Sequence, residues 1–118
     1  MLNTTIQSRA EARALANRVA IARAELLPAG QGRCFSIGGR KVAVFRTRAG
    51  RIHALDAACP HRGGPLADGI VGAGVVVCPL HAYRFRLEDG SGVDTECAVR
   101  SYPVEVVAGF VIVELPAD

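Results

Sequence analysis

The chain has 118 residues, half of them hydrophobic, with 5% aromatic and no Trp, and carries a formal net charge of +3. One domain with an aliphatic core is expected at that length, and no apolar run reaches the ~18 residues that a transmembrane helix needs. No apolar stretch follows a basic N-terminus as in a secretory signal, and the Arg residues are scattered rather than massed, so neither membrane nor nucleic acid is an expected partner and a cytoplasmic location is.

Residues 1–17 read differently from the rest. Ser8-Arg9-Ala10-Glu11 is a capping box, followed by Ala-rich sequence to Leu15 and Ala16, with Asn17 as a stop. A helix that short is marginal alone, so 1–17 is expected to be an N-terminal extension and 18–118 a single domain.

From Arg18 the pattern is of strands. Val19-Ala20-Ile21 is a short apolar run, and Leu26 to Gly30 a connector. Arg33–Ile37 and Lys41–Thr47 flank Gly38-Gly39, a hairpin signal. Arg51–Asp56 follows, with Ile52 and Leu55 inward. Ile70-Val71 and Val75-Val76-Val77 flank Gly72-Ala73-Gly74, Arg84-Phe85-Arg86 is a further short run, and Val104–Val107 and Phe110–Leu115 surround Ala108-Gly109. Many short strands with Gly turns predict an all-β fold, an antiparallel sandwich or barrel. His53 sits mid-strand without a nearby donor and reads as a surface histidine. Tyr83 and Tyr102 either reach a functional site or simply pack.

Between these strands lie two loops, Cys59-Pro60-His61-Arg62-Gly63-Gly64-Pro65-Leu66 and Cys78-Pro79-Leu80-His81. Each offers one thiolate and one imidazole, and the segment between them is long enough for a hairpin that sets the loop tips side by side. Two Cys on one iron and two His on the other make a [2Fe–2S] centre that is easier to reduce than an all-Cys cluster. Gly63 and Gly64 let backbone approach closely, amides aimed at sulfur stabilise an added electron, and Pro60, Pro65 and Pro79 stiffen the loops. Two Cys and two His also suit tetrahedral Zn²⁺, but zinc fingers group like ligands at other spacings. A zinc-bound or cluster-free interaction module is therefore the weaker alternative.

Cys-x-His followed by Cys-x-x-His, with Gly-Gly-Pro-Leu and a Pro after each Cys, resembles the Rieske iron–sulfur family over roughly Arg18 to Leu115. The resemblance implies a Rieske-type fold with a small cluster-binding subdomain. It implies Cys59 and Cys78 on the inner iron, His61 and His81 on the outer, and Gly63, Gly64, Pro65 and Leu80 around the cofactor. High-potential members carry an extra Cys in each loop, at places matching Gly64 and Leu80. They also carry Ser and Tyr hydroxyls matching Tyr83 and Phe85; Phe85 has none. Fewer donors to sulfur lower the potential, so a midpoint near the bottom of the roughly −150 to +300 mV range is expected.

No catalytic triad, paired carboxylates, phosphate loop or second metal site of two His and a carboxylate is evident. The chain is expected to pass single electrons while another protein makes bonds. Cys59 to Gly69, and Cys97 with Arg100-Ser101-Tyr102-Pro103-Val104, resemble the small subunit of cytoplasmic NAD(P)H-dependent nitrite reductase, although Ala82-Tyr83 stands where Gly-Trp is common. That implies a large partner subunit with flavin, sirohaem and an iron–sulfur cluster, reducing nitrite to ammonium. The runner-up is the Rieske ferredoxin of an aromatic-ring dioxygenase, with a reductase and an oxygenase as partners.

The charge is uneven. Residues 1–58 hold ten Arg/Lys against three Asp/Glu, and 59–118 hold four Arg against eight Asp/Glu. Glu88, Asp89, Asp94 and Glu96 form a solvated acidic loop or steer a basic partner. Cys34 and Cys97 are expected as buried reduced thiols, with a Cys34–Cys97 disulfide left open.

Overall fold

Val42-Ala43-Val44-Phe45 has no polar alternation, and the fold explains why. In the computed structural model, which describes residues 17–59, 63–80 and 82–116, this run is the centre of strand β3 (Arg40–Arg46) and both of its faces are buried. The other strands are β1 (Arg18–Arg23), β2 (Gln31–Ile37), β4 (Ile52–Asp56), β5 (Ile70–Gly72), β6 (Val75–Val77), β7 (Arg84–Arg86), β8 (Ser101–Tyr102), β9 (Val104–Val107) and β10 (Phe110–Glu114). They form three antiparallel sheets, ordered β1-β10-β9, β2-β3-β4-β8 and β5-β6-β7. The protein is all-β, as the pattern of short strands predicts.

Successive strand residues point to opposite faces. Val42 and Val44 therefore join Ala54 and Tyr102 in a basal core closed by Val111 and Val113 of the opposite sheet. Ala43 and Phe45 join Leu55 in a second core with Val76 and Phe85 of the third sheet, and that core contains Cys59 and Cys78. The expectation that Ile52 and Leu55 both point inward holds in a divided sense: Ile52 packs on the basal core and Leu55 lies in the other.

Three hairpins close through two-residue turns with both residues left-handed: Gly38-Gly39, Ala73-Gly74 and Ala108-Gly109. That twist matches the strands, and the first turn fixes the pairing of Ile37 with Arg40. Strand β1 runs longer than its apolar triplet, with a bulge between Ala20 and Ala22. A 3-10 turn at Ala24–Leu26 occupies part of the connector. The helix expected from Ser8 lies outside the described residues.

Strand β2 is a sheet edge. That placement corrects the expectation of two buried thiols: Cys34 is exposed, whereas Cys97 is half-buried against the second core. Both are free. No helix of the described residues is long and apolar enough to cross a membrane.

Candidate metal centre

The first loop leaves β4 and folds back on itself. The Cys59 N–H donates to the Gly64 carbonyl (2.8 Å), and the Gly63 N–H donates to the Cys59 carbonyl (2.7 Å). Below them the Leu66 N–H donates to the Ala57 carbonyl (2.9 Å), and Ala58 bridges to Pro65. The second loop leaves β6 and repeats the device, the Cys78 N–H donating to the Tyr83 carbonyl (2.7 Å). In both loops the cysteine N–H is thus tied to the carbonyl five positions along. Because β5-β6-β7 is one sheet, its register delivers both loops to the same end.

Both cysteines are buried, Cys59 at 2% and Cys78 at 1% exposure. They lie in the same core, close enough for each thiol to feel the other. Burial pushes the Cys78 thiol above its ordinary value, the Leu80 backbone N–H pulls it back, and the neighbouring Cys59 thiol pushes it up again. A thiol pair held this way keeps its protons while the site is empty and gives them up to water when a metal cation takes the sulfurs. Leu66, Ala67 and Phe85 form an apolar floor in the same core, which keeps water from the sulfurs.

Gly64 brings the loops together. A Cβ built there would lie 3.0 Å from Cys78 Sγ and 3.1 Å from Leu80 Cγ. The two positions that the resemblance matches to extra cysteines are therefore neighbours across the loops. Leu80 is 43% exposed at the tip, and Tyr83 is half-buried against the second core. Ala82 has φ +58°, a left-handed conformation that costs a Cβ-bearing residue about 1–2 kcal/mol and that suits the glycine common there. His61 and His81 lie outside the described residues. Among the described residues no group of three or more His, Cys, Asp or Glu comes together.

The structure places the other candidates away from the thiols. Tyr102 belongs to the basal core, where its hydroxyl donates to Asp56, and His53 is half-buried on β4. Much of the acidic loop is committed locally: Asp94 pairs with Arg84, and Asp89 accepts from the Ser91 N–H and hydroxyl. Sequence reasoning named Leu66 and Ala67 only as parts of motifs and gave neither a place in the core. Their signal was an apolar pair directly after Gly-Gly-Pro.

The Rieske-like [2Fe-2S] domain family matches residues 17–114. This chain belongs to that family. A Rieske [2Fe–2S] cluster is accordingly its cofactor, and the paired buried thiols with an N–H aimed at one sulfur fit such a group. Among relatives, the ferredoxin component of an alkene monooxygenase system from Xanthobacter autotrophicus is 32% identical over 67% of this chain and 66% of its own. A 4β-methylsterol monooxygenase from Methylococcus capsulatus is 36% identical over 62% of this chain, which spans only 23% of that enzyme. Among solved structures, one assigned as an NADH-dependent nitrite reductase small subunit from Mycobacterium tuberculosis superposes with TM-score 0.81 and 29% identity, covering 86% of this chain and 96% of that one. The ferredoxin of carbazole 1,9a-dioxygenase from Nocardioides aromaticivorans gives 0.78 and 27%, covering 85% and 99%. The protein is a Rieske electron-carrier domain.

Proposed function

We propose that this Rieske domain carries electrons one at a time as the small subunit of an assimilatory NAD(P)H nitrite reductase, with Cys59 and Cys78 holding the inner iron and His61 and His81 the outer. When bound, the cluster supplies a one-electron redox centre. The chain's own part is to bury the sulfurs, aim the Leu80 amide at one of them and leave the Leu80 tip open to a partner. The observation that carries this reading is the superposition on the M. tuberculosis small subunit, which spans 96% of that chain. The Cys59–Gly69 motif and the Tyr102-Pro103 neighbourhood support it.

A second reading, the ferredoxin of a multicomponent oxygenase, is favoured by the alkene monooxygenase ferredoxin and the carbazole dioxygenase ferredoxin. Purification from native cells separates the two. A sirohaem flavoprotein that co-purifies and reduces nitrite is expected; stimulation of an oxygenase instead overturns the first reading. For the ligands, Cys59→Ser and Cys78→Ser should each abolish bound iron and acid-labile sulfide, and either variant retaining both refutes that assignment.

A further inference from the structure

At the end of the β5–β6 hairpin away from the metal loops lies an open cleft of about 810 Å³. One wall is the β3–β4 turn with Arg48 and Arg51, continued by His53 of β4. The other is the hairpin tip, with Arg86 and Glu88 beside it. Three arginines and one glutamate thus line the cleft. Among the described residues neither Arg48 nor Arg51 forms an ion pair.

Both walls are built stiffly. The Thr47 N–H donates to the Arg51 carbonyl (2.8 Å), and the Arg51 N–H donates to Thr47 Oγ1 (3.0 Å). Across the cleft, Arg86 Nη1 donates to Ser91 Oγ and to the Gly92 carbonyl, both at 3.1 Å, which leaves the rest of its fork available. Between the walls Val71, Ala73 and Val75 contribute an apolar surface.

We propose that this cleft is a docking site for a carboxylate-rich peptide segment of a partner protein. Planar guanidiniums recognise carboxylate and phosphate alike. Here they stand on opposite walls of a space far larger than one phosphate, with an apolar strip between them. That layout suits several spaced carboxylates on a chain that also presents aliphatic carbon. The sheet gives the site its use. Val75 begins β6 and Cys78 follows its last residue, so the cleft is about 10 Å along the strand from the metal loops. A partner held here leaves the Leu80 tip uncovered, and the carrier stays attached while its cluster exchanges electrons. The inference does not depend on which redox system the carrier serves.

The test uses the full chain with its cluster loaded and a fluorescein-labelled hexaglutamate peptide, read by anisotropy. Saturable binding that weakens as salt rises is expected. Arg48→Glu combined with Arg51→Glu should weaken it by about tenfold or more, with visible spectrum and circular dichroism unchanged. Ala49→Glu, at the cleft mouth on the exposed turn, should weaken it independently and keeps the proposal testable if the double variant misfolds. Absence of binding, or wild-type affinity in either folded variant, overturns the proposal. So does inorganic triphosphate binding more tightly than the peptide, which would make the cleft a phosphate site.

Discussion

Replacing Gly64 with Ala tests whether the two loops are packed as tightly as the metal centre requires. The new Cβ lands 3.0 Å from Cys78 Sγ and 3.1 Å from Leu80 Cδ1 and Cγ. Leu80 is 43% exposed and can swing away, but Cys78, at 1%, has nowhere to go. Gly64 is not left-handed, so Ala gains about 0.4–1 kcal/mol from a less free unfolded chain. Overpacking costs about 1–3 kcal/mol. The balance is a loss of about 1–2 kcal/mol, or roughly 4–8 °C in Tm for a domain of this size. Because the displaced atom is a proposed ligand, iron per chain should fall as well. Gly72→Ala is the control: it is not left-handed and its Cβ meets nothing within 4 Å, so iron should stay at the wild-type value while Tm rises by about 2–4 °C from the unfolded-chain gain alone. Calorimetry and iron and sulfide assays on both variants decide the matter. A Gly64→Ala protein that keeps full iron and melts with the wild type refutes the close approach.

Three further outcomes are expected. Ala82→Gly relieves left-handed strain at φ +58°, worth about 1–2 kcal/mol, against about 0.5–1 kcal/mol of added chain freedom; urea unfolding should show a small gain, and a loss would contradict the strain. Phe85 is fully buried in the core that holds both cysteines. If Phe85→Tyr reaches a cluster sulfur, one hydrogen bond of about 1 kcal/mol raises the midpoint by about 40 mV for one electron; voltammetry showing no shift while stability falls would mean the hydroxyl found no sulfur. Tyr102→Phe removes the hydrogen bond to Asp56 and should cost about 1–2 kcal/mol at neutral pH. Burial, then Asp56, raises the Tyr102 pKa. Its stabilisation is therefore complete below the unfolded value near 10 and lost as pH climbs through the folded one. The gap in Tm between wild type and variant should accordingly narrow above about pH 10, and a gap that is constant to pH 11 would argue against it.

The hairpins were legible because Gly38-Gly39, Ala73-Gly74 and Ala108-Gly109 carry the chemistry that left-handed turns demand. The cofactor was legible because sulfur and imidazole donors at that spacing have few other uses, and of the four proposed ligands the structure describes Cys59 and Cys78, both buried in one core. Strand β8 was not legible: two residues paired to the distant β4 carry no periodicity. Nor was the exposure of Cys34, since a residue type says nothing about whether its strand is a sheet edge. Ala82 hid its conformation behind a residue type that favours right-handed helix, and the sign lay instead in the glycine common at that place in the small subunits it resembles. The basic cleft was invisible for another reason: its walls come from turns remote in sequence, joined only by packing.

Strand β3 is a party wall. Because alternate residues of one extended segment serve two interiors, heat or denaturant that loosens the base should release the thiol loops in the same event. Such a domain discards its metal group and its shape together rather than lingering as a folded shell.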